Sequence, residues 1–529
     1  MQLTRRREAL AVAGCVALFL FLASVRARDR VWPYFDDVAF LDAANQVRDA
    51  GGPVRLLEDL WAGRWTEDNR HPLYVATLSL VAGREPGFHQ RSIILTIFIG
   101  ALALVACWWT ARKRAGAGGA LVLALFLATS ETLIDYSARA SAEPMLLLFW
   151  ALALGAILDG ERRWPLAGVF IGLAYLTKAP GIFLLFCFAG AMLLRRGFKK
   201  PYAWALAGGF AVTALPLLVR NVRVYGSPFH SWNDRLLYID RLYDFSELYA
   251  PHAWDRLPHS FAEWARQATL TEIFVRRGAM GLGETCIHLG DAMSFFAPGP
   301  FAPLHVAGVI LGLTLFVVAV RIVIRQPSSL ERTLLLVMAL FFFCFFWFFS
   351  AASGSSRYLF EMSVWFYAVL AAALWSHPIW LKRWGVAAAL FVAGALVFDP
   401  STRRIPAGYA EAADRLAQTL KPGDAYVVDS RSHFQPKWRL PASNRMETAS
   451  STWQGRPVPA GEMVDDFRRK EVRFVVLDET SRQGSAPRYF FFDQPQPPPA
   501  LHQIWATGAI RILELAPSPA GAPAAVRAR

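Results

Sequence analysis

Residues 91–132 read RSIILTIFIGALALVACWWTARKRAGAGGALVLALFLATSET, and this stretch settles what kind of chain this is. Two predominantly apolar runs, 91–110 and 117–132, flank the basic cluster Arg112-Lys113-Arg114. A spanning α-helix needs about 20 mostly apolar residues, and cytoplasmic loops hold the excess of Lys and Arg. The stretch therefore reads as two antiparallel membrane spans joined by a cytoplasmic turn.

The same criterion, carried outward, places further spans near 9–25, 143–159, 164–178, 180–195, 202–219, 302–324, 332–350, 357–376 and 384–398. The fold class that follows is a polytopic α-helical membrane protein of about 11–13 spans. Arg5–Arg7, Arg162 with Arg163, RRGFKK at 195–200, Arg321 with Arg325 and Arg332, and Lys382 with Arg383 all fall on the side of Arg112–Arg114. The amino terminus is then cytoplasmic and the carboxyl terminus external, in a cell (inner) membrane. The opening 27 residues also have the form of a signal peptide, with small residues near Ala23. Because many spans follow, an uncleaved first span is the reading adopted.

Composition agrees with a membrane chain. Hydrophobic residues make up 55% and charged residues 18%, against about 25% charge in soluble domains. In a soluble protein the net charge of +14 would suggest nucleic acid as a partner. Here the basic residues lie in short clusters between apolar runs, so topology accounts for them and no nucleic acid is expected. The five cysteines form no CxxC pair, which argues against a disulfide framework and a cysteine zinc site. The chain has no P-loop, and no GxGxxG follows a strand, which disfavours a nucleotide-consuming pump.

Three segments are external: about 26–90, about 220–300 and the tail from about 400. The first two are rich in aromatic residues and suit short interfacial helices, WNDRLLYIDRLYDF at 232–245 among them. The domain boundaries expected are 1–399 for the membrane domain, 400–516 for a small extracytoplasmic α/β domain and 517–529 for a disordered end. In the tail, AGYAEAADRLAQTLKPGDAYVVDS reads helix, turn, strand; EMVDDFRRKEVRFVVLDE repeats helix then strand; IRILEL is a last strand and DQPQPPPALH a loop.

Ionisable side chains are expensive within a span, so those at the external span ends stand out: Asp36, Asp37, Arg70, His71, Asp135, Arg139, Glu143, Lys178, Arg220, Arg357 and Glu361. Topology allows them one cavity. Asp36 and Asp37 either cap an interfacial helix or supply a general base beside the bilayer. Arg70, before His71 and Pro72, either snorkels to lipid headgroups or binds an anion. Lys178 ends an apolar run just before Ala-Pro-Gly; it is an interfacial anchor or a phosphate ligand. Arg357, after a small hydroxyl-rich loop, is likewise compatible with an anionic group.

In this order FDDVAF, RHPLY, ARASAEPMLLLF, GLAYLTKAPG, RNVRVYGSPF and SSRYLF resemble the GT-C class of membrane glycosyltransferases. The branch is that of the protein O-mannosyltransferases and the lipid A aminoarabinose transferase, over about residues 9–398. The resemblance implies transfer of a sugar from a polyprenyl-phosphate donor to an extracytoplasmic glycan, lipid or protein acceptor, with inversion. It implies Asp36 as catalytic acid position and Asp37 as a second acid. Arg70, Lys178 and Arg357 then contact the donor phosphate, and His71, Arg139, Glu143 and Arg220 line the cavity. His71 departs from a Pro in the aminoarabinose transferases, and Glu143 from a shorter Asp.

The chemistry suits those residues independently. A sugar on phosphate already has a good leaving group, so one base and cations for the developing phosphate charge suffice, whereas a glycosidase needs two carboxylates flanking the bond. No metal or other cofactor is expected, since the histidines lack ligand spacing. A lipid or oligosaccharide transporter is the alternative from another class, with ionisable groups expected at the midplane; a non-catalytic envelope assembly protein is a third.

Overall fold

The computed structural model describes residues 5–28, 30, 33, 35–67, 69–83, 85, 87–231, 238, 258, 260–293, 302–353, 356–376, 408–428, 440, 444–448, 460–478, 499–507 and 510–517. The span expected at 384–398 lies outside them, as does the 232–245 segment apart from Tyr238.

Helix α1 (Arg5–Arg28) is followed by three short helices, α2 (Phe35–Asp49), α3 (Gly52–Ala62) and α4 (Pro72–Ser79). Both runs of 91–132 fall in α5 (Gly87–Ala128), whose 42 residues are broken at Gly116, with φ 67° and ψ 174°. That conformation is open essentially to glycine alone, so α5 is two helices that meet just past the Arg-Lys-Arg cluster. The second ends at Ala128 rather than 132, because Ser130 caps α6 (Glu131–Ser137) by accepting the Leu133 N–H.

Then come α7 (Glu143–Leu158), α8 (Trp164–Thr177), α9 (Phe183–Leu194) and α10 (Pro201–Tyr225). Proline stands in the first turn of α4, α7, α8 and α10, where its missing N–H is no loss. Helices α8 and α10 approach so closely that a Cβ on Gly168 would overlap the Leu206 carbonyl oxygen, a small-residue contact typical of membrane helices. The remaining helices are α11 (Phe261–Gln267), a π-helical turn at Glu272–Met280, α12 (Gly281–Ala292), α13 (Ala302–Arg325), α14 (Leu330–Ser353) and α15 (Phe360–Ser376). Among the described residues six helices are long and apolar enough to cross a membrane, and Glu143–Leu158 and Ala179–Leu194 are shorter apolar helices.

Ion pairs tie together the turns at one end of this bundle. Arg112 meets Glu8 at 2.5 Å, Lys113 meets Asp159 at 2.6 Å, Arg114 lies 3.6 Å from Glu331, and Lys200 pairs with Glu161. The basic clusters at residues 112–114 and 195–200 therefore share an end with the 159–163 turn.

In the C-terminal region α16 (Tyr409–Thr419) precedes β1 (Ala425–Val428), and α17 (Ala460–Arg469) precedes β3 (Val472–Asp478), as the pattern predicts. With β2 (Arg445–Thr448), β4 (Leu501–Thr507) and β5 (Ile510–Leu515) they form a five-stranded sheet of order β2-β1-β3-β5-β4. Strands β2, β1 and β3 are parallel; β5 runs antiparallel to β3 and β4. The loop expected through His502 ends earlier, because Leu501 and His502 pair with Leu515 and Glu514.

Candidate active site

At the other end of the bundle, residues from the first tenth and the last third of the chain meet. Asp36 lies in the first turn of α2, and Arg357 in a 3₁₀ turn before α15. The Arg357 guanidinium donates to Asp36 Oδ2 at 3.1 Å and to the Tyr358 hydroxyl at 3.0 Å. The Lys178 ammonium stands 5.3 Å from the centre of the Tyr358 ring and donates to Glu143 Oε1 at 2.5 Å. Glu143 opens α7 and also accepts the Ser141 hydroxyl. Lys178 terminates α8, extended at φ −162°, where the helix gives way to Ala179-Pro180-Gly181. Two cations and two acids thus form one chain of contacts, Asp36–Arg357–Tyr358–Lys178–Glu143.

Asp36 and Asp37 have opposite surroundings. The Asp36 side chain is 51% exposed, whereas Asp37 is 1% exposed on the buried face of α2 with Leu41 and Ala44. Asp37 and Glu143 both act electrostatically on Tyr74, whose hydroxyl lies 2.7 Å from Thr96 Oγ1. Burial, with those two charges adding to it, pushes the Tyr74 hydroxyl far above the usual tyrosine range despite the Thr96 bond.

His71 N-caps α4 and its Nδ1–H donates to the carbonyl of Tyr175, three residues before Lys178. Burial, assisted by Arg220 and Lys178 and opposed by the Tyr175 bond, lowers its imidazole to about 4. The ring is therefore neutral at pH 7, with Nε2 an acceptor.

The other cations are engaged elsewhere. Arg70 pairs with Glu67 at 3.5 Å and lies over the Phe40 ring. Arg220 is buried and donates to the Glu67 carbonyl at 2.8 Å. Arg139 pairs with Asp135, which Arg26 and Arg30 also contact. Burial alone would raise the Asp135 carboxyl, but Arg139, Arg30 and Arg26 outweigh it and hold it at about 2.

Tyr358, the spacer between Arg357 and Lys178, escaped the sequence reading although it follows Arg357 directly in SSRYLF. Ser141 escaped it too, in the ASAEP turn beside Glu143. Glu361 sits one turn beyond Arg357, 2% exposed, within electrostatic reach of Lys178 and Glu143. Among the described residues no group of three or more His, Cys, Asp or Glu is placed to hold a metal ion.

A family model described as dolichyl-phosphate-mannose-protein mannosyltransferase matches residues 72–219, from α4 into α10. The structure is similar to the oligosaccharyltransferase of Archaeoglobus fulgidus crystallised with Zn and sulfate, at 14% identity and a TM-score of 0.52, over 87% of this chain and 68% of that one. It is similar to the same organism's AglB in complex with an inhibitory peptide and a dolichol-phosphate, at 12% identity and a TM-score of 0.52, over 88% and 70%. ArnT of Cupriavidus metallidurans bound to undecaprenyl phosphate aligns over 96% and 97% at 13% identity, with a TM-score of 0.45. The comparison with curated proteins gave no match. The fold is that of the GT-C membrane glycosyltransferases, as the ordered motifs imply.

Proposed function

We propose that the protein transfers a sugar, hexose or pentose, from a polyprenyl-phosphate donor to an extracytoplasmic acceptor, a protein, lipid A or another envelope glycan. The observation that carries this is the contact chain from Asp36 through Arg357 and Tyr358 to Lys178: a carboxylate with access to solvent beside two cations. The family model and the GT-C fold support the same class of reaction.

In this reading Asp36 is the general base and Asp37 a positioning acid, because only the former is accessible to an incoming acceptor. Asp36 takes the proton of the acceptor hydroxyl or amine. The acceptor atom then bonds to the anomeric carbon from the face opposite the phosphate, and the carbon–oxygen bond to phosphate breaks with its electron pair going to the lipid phosphate. Inversion follows from that single displacement. Arg357 and Lys178 neutralise the charge that develops. The donor phosphate competes with Asp36 for Arg357, so donor binding frees the base.

The test is transfer by purified protein in liposomes supplied with labelled polyprenyl-phosphate sugars. Asp36→Asn is expected to lower turnover about 10² to 10⁴-fold, and Lys178→Ala or Arg357→Ala about 10² to 10³-fold with weaker use of donor than of acceptor. Wild-type transfer by both Asp36→Asn and Asp37→Asn would reject the base assignment. The acceptor is then sought by comparing envelope glycans of cells with and without the protein.

A further inference from the structure

The bundle end opposite Asp36 holds a cavity of about 360 Å³ between the start of α8, the α9–α10 turn and the start of α14. Its floor is apolar, with Ile157, Leu158, Trp164 and Met192, and its rim carries Arg114, Arg195 and Lys200. Two carboxylates also line it, Glu161 and Glu331. Lys200 pairs with Glu161, and Arg114 lies 3.6 Å from Glu331. Arg195 differs: it donates to the hydroxyls of Ser328 at 3.2 Å and Thr333 at 3.4 Å, neutral partners, and among the described residues no carboxylate pairs with it. The turn at 195–200 contributes four positive charges and no negative one.

What lies beside the rim identifies the kind of ligand. Leu193, Leu194 and Trp204, on the two helices that the turn joins, are 68%, 70% and 65% exposed. Exposed apolar side chains on helices of this hydropathy face acyl chains. A soluble anion would use the rim and leave floor and flanks idle, whereas a phospholipid uses all three, and basic pockets between membrane helices take acidic headgroups.

We propose that this cavity binds an anionic phospholipid, its phosphate against Arg195 and Lys200 and its chains over Leu193, Leu194 and Trp204. The lipid bridges turns that are also joined by ion pairs and by the Arg195 hydrogen bonds to Ser328 and Thr333. The site is independent of the sugar-transfer reading, since none of its residues belongs to the Asp36 constellation.

The experiment reads the phospholipid retained by purified protein reconstituted in vesicles of phosphatidylglycerol and phosphatidylcholine in equal amounts, then extracted and analysed by native mass spectrometry. Wild type is expected to retain phosphatidylglycerol selectively. A cationic side chain near an acidic lipid surface is worth about fivefold in binding, so Arg195→Gln with Lys200→Gln is expected to lower that selectivity by about 25-fold. Met192→Trp fills the floor, keeps every charge, and is expected to lower retention as well; it decides the matter if the double variant does not fold. Excess inorganic phosphate should leave the bound lipid in place. Equal retention of the two lipids by wild type, full selectivity in the variants, or displacement by inorganic phosphate would each overturn the proposal.

Discussion

His71 shows how a single side chain can be placed by sequence while its protonation is set by tertiary contacts. Its position before Pro72 marks a helix start, but its burial is set by Tyr175, more than a hundred residues away. The unfolded chain takes up a proton at this ring near pH 6.5 and the folded chain only near 4. Its contribution to stability is therefore fully present above pH 6.5 and is lost as pH falls from there to about 4, by at most about 3 kcal/mol. Thermal unfolding in detergent at pH 7.5 and 4.5 should show a smaller acid loss in His71→Asn than in wild type; identical losses would remove His71 from the explanation. The acidic pair was legible as a pair, and the roles of its members were legible in part. Asp37, Leu41 and Ala44 follow the i, i+4, i+7 stripe of a buried helix face, which turns Asp36 outward. Its contact with Arg357 was not legible, because nothing local in a sequence reports a partner 321 positions on.

Among the elements, helix starts were the most readable, since proline and acidic first turns act locally. The strands that escaped, Arg445–Thr448 and Leu501–Thr507, are held by neighbours rather than by propensity: one pairs with β1 and the other with β5. Two glycines separate local from tertiary constraint. At Gly116 a Cβ would meet no atom within 4 Å, so Gly116→Ala tests the backbone conformation alone and should cost about 1 to 3 kcal/mol. At Gly168 the backbone is ordinary helix, yet a Cβ collides with α10, and Gly168→Ala must push two helices apart, at about 1 to 3 kcal/mol or more. Both predictions are read as lowered unfolding temperatures. The second should also grow with side-chain size, Gly168→Leu costing more than Gly168→Ala because the added atoms press on the α10 backbone at Leu206 and Phe210, while Gly116→Leu should cost about as much as Gly116→Ala. A marked size dependence at Gly116 would refute the distinction.

Across the whole molecule, two sets of contacts sort the chain. Residues 8, 112–114, 159, 161, 200 and 331 pair at one end, and residues 36, 143, 178 and 357 meet at the other. The alternation of basic clusters along the sequence had already grouped the first set, since charge placement follows the insertion of each span rather than its packing. It left open which external residues touch. If the basic end is cytoplasmic, the Asp36 constellation faces the compartment outside. Reporter cysteines test that assignment in a variant whose five native cysteines are replaced by serine. Glu58 on α3 and Arg163 before α8 have side chains 56% and 60% exposed, and neither belongs to the sugar-transfer or lipid site. A membrane-impermeant maleimide added to intact spheroplasts should modify Glu58→Cys at once and Arg163→Cys only after permeabilisation. Labelling in the reverse order would invert the topology and put the acceptor in the cytoplasm. Labelling of both without permeabilisation would mean that the two ends do not lie on opposite faces of a membrane, and a reaction that draws its donor from the lipid phase on one face would lose its physical basis.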